Sequence, residues 1–281
     1  MNFSKPDSLF NHGMKVLIYS EKNAEMNDIG WYWGCTGISY YANGIKWENI
    51  KYYKSYYTLT FCHEFEYDFD TVYFAYCYPY TYTELKNYLK LIERDPEKNK
   101  FCVIRNLCST LAGNKCDYLT VTSWKPGNKK GVIISAWVHP GESVGSWMMK
   151  GVMDFITDVN DKEAQTLRDH YIFKIIPMLN PDGVINGNYW CSLAGCDLNW
   201  RWKTPSKVLH PTIYHLKKMI AQMKDERPIS LFCDLHGHSW KKNVFMYGCN
   251  YPKAPEETRI FPFILGKLCP YFNFHDSRFG V

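Results

Sequence analysis

The hydrophobic and polar positions follow one rhythm up to about residue 125 and another beyond it. In the first part the runs MKVLIYS, GISYYAN, YYTLTFCHEF and TVYFAYCYPY are short, rich in Tyr, Thr and Phe, and punctuated by Asn, Asp, Gly and Pro. β-Branched and aromatic side chains suit a pleated, half-buried surface, so each run predicts a strand. Only TYTELKNYLKLIERD has helical spacing there, with Thr83 as its candidate N-cap. This pattern predicts an antiparallel β-sandwich with one helix over residues 1–124. The polar, Gly- and Pro-containing stretch SWKPGNKKG, 123 to 131, predicts the boundary to a second domain over 125–281.

Beyond that boundary the order strand, loop, helix recurs, which predicts an α/β sheet with flanking helices. GVIISAWV, YIFKIIPML and PISLFCDL are continuous apolar runs of the kind buried on both faces of a parallel sheet. Between the first two, Val144, Trp147, Met148, Val152, Phe155 and Ile156 recur near helical spacing behind Ser143, a candidate cap. Asn180-Pro181-Asp182-Gly183 closes the second strand as a turn. His139 falls at the end of the first strand and His236 at the end of the third. Ligands in open α/β sheets bind outside such carboxyl ends.

His139 and Glu142 flank Pro140-Gly141, which keeps the segment out of helix and lets both side chains reach one ion. Two His and one Glu form a set used by catalytic zinc, with a fourth position left for water. The spacing differs from the helical His-Glu-x-x-His arrangement, where the Glu serves as base. His236 is the expected third ligand because it sits directly at a strand end, with His238 as its rival. The bland alternative is a pair of satisfied structural histidines.

Composition narrows the function classes. Apolar residues make up 46% and charged ones 22%, an ordinary globular balance. A net charge of +5 is too mild for a nucleic-acid surface, although it would not repel an acidic partner. No apolar run is long enough to span a bilayer, and MNFSKPDSLFNHGMK lacks a signal-peptide core, so no membrane association is expected. Eleven Cys without a Cys-x-x-Cys pair read as reduced cytosolic thiols.

VHPGES, NPDGVINGNY, CSLAGCDLN, WKTPSKVLHPTIYHLK and FCDLHGHSWKKNVFMYG resemble the cytosolic carboxypeptidases, a branch of the zinc metallocarboxypeptidases. SLFNHGMKVLIYSEKN, YYTLTFCHEF, DTVYFAYCYPYTYTEL and TLAGNKCDYLT resemble the β-sandwich that precedes their catalytic domain. The resemblance implies one Zn²⁺ held by His139, Glu142 and His236. Asp197 would orient His139 from behind, and Asn199 would contact the substrate's terminal carboxylate. The implied reaction is hydrolysis of C-terminal, glutamate-rich tails such as tubulin's, in the cytoplasm and near microtubules or cilia.

The sequence departs from that family pattern in two ways. The family's general-base Glu is expected on a later strand, beyond Val281, so the sheet is expected to be incomplete and the chain to lack a catalytic base. In addition, Trp190 and Trp200 align with the Arg residues for the oxyanion and the terminal carboxylate. Trp33, Trp137 and Trp240 likewise stand where the pattern reads Arg. Trp offers one neutral N–H and no charge, so it replaces a guanidinium at neither task. Five such exchanges point to a codon-assignment error in translation of the gene or to one biased mutational process. Two other functions are weighed: a catalytically inactive zinc- or tail-binding pseudoenzyme, and a small-molecule N-acyl amino acid amidohydrolase. The sandwich motifs argue against the amidohydrolase.

Overall fold

The computed structural model describes residues 3–49, 52–238 and 241–280, so Trp240 lies outside the described residues. In chain order the elements are β1 (Val16–Ser20), α1 (Glu21–Asn27), β2 (Tyr32–Gly34), β3 (Thr36–Asn49), β4 (Tyr52–Cys62), β5 (Val72–Ala75) and α2 (Tyr82–Arg94). Then follow β6 (Cys102–Ser109), β7 (Lys115–Val121), β8 (Lys130–Ala136), α3 (Ser143–Ile156), α4 (Lys162–His170), β9 (Tyr171–Ile176) and α5 (Pro181–Ile185). The chain continues with α6 (Pro211–Glu226), β10 (Ile229–Leu235), β11 (Tyr247–Gly248), α7 (Glu257–Leu268) and β12 (Arg278–Phe279).

These elements fall into two compact units. The larger comprises Met14–Ser39 and Leu59–Gly237; the smaller comprises Met1–Gly13, Tyr40–Thr58 and His238–Val281. In the larger unit a mixed sheet runs in the order β10-β8-β9-β7-β6. β10, β8 and β9 are mutually parallel, whereas β7 is antiparallel to β9 and β6 antiparallel to β7. A separate antiparallel sheet, β2-β1-β5, is built from the N-terminal strands, and β3 pairs with β4 in a sheet of their own. The smaller unit contains the short parallel pair β11–β12 and α7.

The continuous apolar runs are explained by helices on both faces of the mixed sheet. Val132, Phe173 and Ile175 pack with Leu85, Leu89 and Ile92 of α2 and with Met149, Met153 and Ile156 of α3. Ile133 and Ile176 pack on the other face with Ile213, Leu216 and Met223 of α6. Each fully buried aliphatic side chain of this kind contributes about 1.5 to 3 kcal/mol relative to exposure.

Four sequence expectations change. The boundary at residue 124 falls inside one packed body, because α2, β6 and β7 share sheet and core with β8–β10; Leu119 of β7 pairs with Ile175 of β9. SWKPGNKKG is therefore a loop between two strands of one sheet. The helix expected to be capped by Thr83 is capped by Thr81, which closes a capping box with Glu84. Asn180 does not merely turn the chain: its side chain accepts from the Gly183 N–H and starts α5. Finally, α3 buries a different stripe from the expected one. Met149, Met153 and Ile156 face the core together with Gly145 and Ser146, while Val144, Trp147 and Phe155 are exposed. Ser143 is its first residue and Glu142 its N-cap, with no side-chain cap bond.

The α3 stripe has small residues because the helix approaches β10 closely. A methyl group on Gly145 would lie 2.8 Å from the Leu235 carbonyl oxygen, whereas Gly151 in the same helix has nothing within 4 Å. Replacing Gly by Ala in a helix ordinarily gains about 0.8 to 1 kcal/mol. Gly151→Ala should therefore stabilise the chain by about that much in urea unfolding. Gly145→Ala should instead destabilise it, by about 1 to 3 kcal/mol, as overpacking against backbone outweighs propensity. Equal effects at the two positions would show that α3 does not approach β10 as described.

Candidate metal centre

The loop from β8 to α3 is fixed from several sides. Trp137 adopts φ +61, a left-handed conformation rare for a bulky side chain, and is 2% exposed. Its indole N–H donates to the Pro140 carbonyl at 2.7 Å, and its ring meets Tyr80 edge-on. The Asn180 amide donates to the Val138 carbonyl at 3.1 Å, and the Gly141 N–H donates to the Tyr189 carbonyl at 2.8 Å. Local strain of this kind persists only where the surroundings over-determine it. The result is that His139 and Glu142 leave the loop on the same side.

Glu142 sits at the N-terminus of α3, where a carboxylate is favoured by the helix dipole. Its two oxygens face two histidines: Oε1 lies 3.2 Å from His139 Nδ1, and Oε2 lies 3.2 Å from His236 Nδ1. The Gly237 N–H also donates to Oε2, at 2.8 Å. The two imidazole rings have centroids 5.0 Å apart. The structure thus brings together His139, Glu142 and His236, with one ligand atom from each lying within 4.8 Å of the others. Ligands at about 2.0 to 2.2 Å from a common zinc ion sit roughly 3 to 4 Å apart, so a small contraction would seat one ion. Two imidazole nitrogens and a carboxylate suit zinc in kind as well as spacing. The rival, His238, accepts instead from the Lys241 N–H and packs edge-on to Phe245.

Behind each histidine lies an aspartate. His139 Nε2 is 3.0 Å from Asp197, and His236 Nε2 is 2.8 Å from Asp234. Asp234 was missed by sequence reading, although its place two residues before His236 on one strand puts both side chains on one face. Asp197 precedes a short 3-10 turn, Leu198–Arg201, and its carboxylate also accepts from the Asn199 N–H. Asn199 is exposed, and its side-chain oxygen accepts from Trp202 Nε1 at 3.2 Å. The Trp190 ring lies 6.1 Å from that of His139, beside the cluster. Trp200, at 84% exposure, projects outward, and Trp33 is exposed edge-on to Tyr78.

Burial alone would raise the Glu142 carboxyl, but hydrogen bonds from His139, His236 and Gly237 hold it down at about 2. Burial likewise pulls His236 down, yet its contacts with Asp234 and Glu142 push it up to about 10. His139 is also raised: against burial, Glu142 and then Asp197 favour its charged form.

A model of the family described as zinc carboxypeptidase matches residues 85–264. Over its whole length the chain is 45% identical to cytosolic carboxypeptidase 3 of Mus musculus and 46% identical to cytosolic carboxypeptidase 2 of Homo sapiens. It spans 28% and 32% of those proteins respectively, about a third of their length. In fold, 95% of the chain superposes on 64% of a metallo-carboxypeptidase from Burkholderia cenocepacia, with TM-score 0.74 at 22% identity.

The titration of the cluster sets a pH dependence. The depressed Glu142 contributes stability that is present above its ordinary 4.5 and lost as pH falls towards about 2. The raised His236 contributes stability that is full below its ordinary 6.5 and lost as pH rises through about 10. The melting temperature of the metal-free chain should therefore fall as pH rises from 6.5 towards 10. Over the same range zinc affinity should increase, because metal displaces protons from the histidines. A zinc affinity independent of pH between 6 and 9, measured by calorimetry, would contradict this arrangement.

Proposed function

This chain belongs to the zinc carboxypeptidase family, with the cytosolic carboxypeptidases as its relatives, and we propose that it carries the zinc-binding part of a centre that removes C-terminal residues from acidic protein tails. The observation that carries the reading is the convergence of two imidazole nitrogens and a carboxylate on one point at the ends of β8 and β10. His139, Glu142 and His236 are the residues that would hold the ion. Zinc bound there supplies a Lewis acid for the scissile carbonyl and lowers the pKa of water.

The remaining residues bind and orient. Asp197 holds the proton of His139 on Nε2 and so keeps Nδ1 turned towards Glu142. Asn199, on the exposed turn next to it, is the proposed donor to a substrate's terminal carboxylate. The net charge of +5 favours an acidic tail, and glutamate-rich tails such as tubulin's fit that chemistry; the corresponding setting is the cytoplasm, near microtubules or cilia. The amidohydrolase alternative is disfavoured by the identity to cytosolic carboxypeptidases across the chain's full length.

Two features favour a second reading, in which this segment binds zinc and tails without turnover. Among the described residues, the three carboxylates at the cluster are all committed: Glu142 to both histidines, Asp197 to His139, and Asp234 to His236. None of them is free to accept a proton from water, and general-base assistance is worth about 10² to 10⁴ in rate. Trp190 beside His139 supplies no charge for an oxyanion, a loss of about 10² to 10³.

The two readings separate in one set of assays. The 281-residue chain should bind one equivalent of zinc by atomic emission, and His139→Ala or His236→Ala should abolish it. It should also bind a C-terminal polyglutamate peptide, yet release little glutamate. Robust release by the unmodified chain would favour the enzyme reading and reveal an unassigned base. Absence of both zinc and peptide binding would remove the proposal altogether.

A further inference from the structure

We propose that Asp234, braced by Ser135, is the positioning residue for the third ligand: it selects which ring nitrogen of His236 faces the metal. The inference rests on the zinc reading above and extends it to two residues to which the motifs gave no role.

A neutral imidazole carries its proton on one nitrogen and offers a lone pair on the other, so a metal site has to choose between two tautomers. A carboxylate can only accept, and a histidine beside one keeps its proton on the facing nitrogen. At His139 the choice is made by Asp197, which leaves Nδ1 towards Glu142 Oε1. At His236 the same choice is built from different elements. Asp234 Oδ2 lies 2.8 Å from Nε2, while Nδ1 lies 3.2 Å from Glu142 Oε2. With each Nε2 proton held by an aspartate, the two Nδ1 atoms are the ones that would give up their protons to zinc, and both face one place at Glu142.

The second oxygen of Asp234 explains why this carboxylate stays in register. Oδ1 accepts from Ser135 Oγ at 2.7 Å, and Ser135 is the residue directly across from Asp234 in the parallel β8–β10 pairing. Ser135 is wholly buried among aliphatic neighbours on β8, where a hydroxyl is costly unless it has a partner. Asp234 is that partner. The aspartate behind His139 stands at the start of a short turn, but the one behind His236 is fixed by strand pairing itself. Loss of the carboxylate would leave His236 free to present either nitrogen. Loss of the serine would leave the charge but release its orientation.

The test uses the intact chain, with zinc affinity measured by competition against a fluorescent chelator and the His236 ring followed by ¹⁵N NMR. Asp234→Asn should weaken zinc binding about 10- to 100-fold, the usual effect of removing a partner behind a metal-bound histidine. Ser135→Ala should weaken it by a smaller factor. In the zinc-loaded wild type the Nε2-bound proton of His236 should give a downfield, slowly exchanging resonance, which Asp234→Asn should lose. A merely structural role would lower the metal-free melting temperature without changing that resonance. Unchanged zinc affinity, or an unchanged Nε2 proton in folded Asp234→Asn, would overturn the assignment. If Asp234→Asn does not fold, Ser135→Ala decides: wild-type affinity in that variant also overturns it. A wild-type chain that binds no zinc, matching His139→Ala, would instead show that the underlying metal reading is at fault.

Discussion

The larger unit's functional geometry depends on one carboxylate held between two strand ends. Glu142 faces His139 at the end of β8 and His236 at the end of β10, and it accepts the Gly237 N–H as well. A buried carboxylate is costly unless its lone pairs are filled, so the partners of Glu142 are as necessary to it as it is to them. Adjacent parallel strands bring the two histidines to the same end of the sheet. The glycines at 145 and 237 let the α3 N-terminus come close enough to bridge them. Side-chain chemistry and backbone packing are here a single constraint.

Much of this was legible in the sequence because its physical causes are local. The parallel strands announced themselves as apolar runs, since burial on both faces removes alternation. The positions of His139 and His236 at their ends follow directly from where those runs stop. Pro140-Gly141 excluded helix, so the His-x-x-Glu loop could be read as a pair of ligands. Asp197 was reached through family motifs; nothing in its own neighbourhood distinguishes it from an ordinary turn aspartate.

What escaped the sequence depends on partners distant along the chain. β6 and β7 carry exposed polar residues and lack a continuous apolar run, and only the pairing of β7 with β9, and of β6 with β7, places them in the main sheet. The buried stripe of α3 differs from the expected one because Val144, Trp147 and Phe155 face outward, while Gly145 and Ser146 face β10 and the core. Burial there is decided by close approach rather than by side-chain hydrophobicity. Asp234 was overlooked for a similar reason: its significance comes from Ser135, a residue 99 positions earlier. The Trp residues divide likewise. Trp137 is packed and hydrogen-bonded inside the loop, whereas Trp200 projects outward, a contrast that one shared sequence pattern could not reveal.

The strand order also places the centre in time. β8 lies between β9 and β10, so β10, which leads into His236, is the last of these five strands to leave the ribosome. His236 follows Glu142 by 94 residues, which at about 5 to 20 residues per second is an interval of about 5 to 19 s. During that interval the nascent chain presents His139 and Glu142 without their third companion, and one edge of β8 stands unpaired. An exposed strand edge of this kind is a template for wrong pairing. Arrival of β10 pairs that edge of β8 and completes the ligand set in the same step, so assembly of the centre is also the event that removes this particular template.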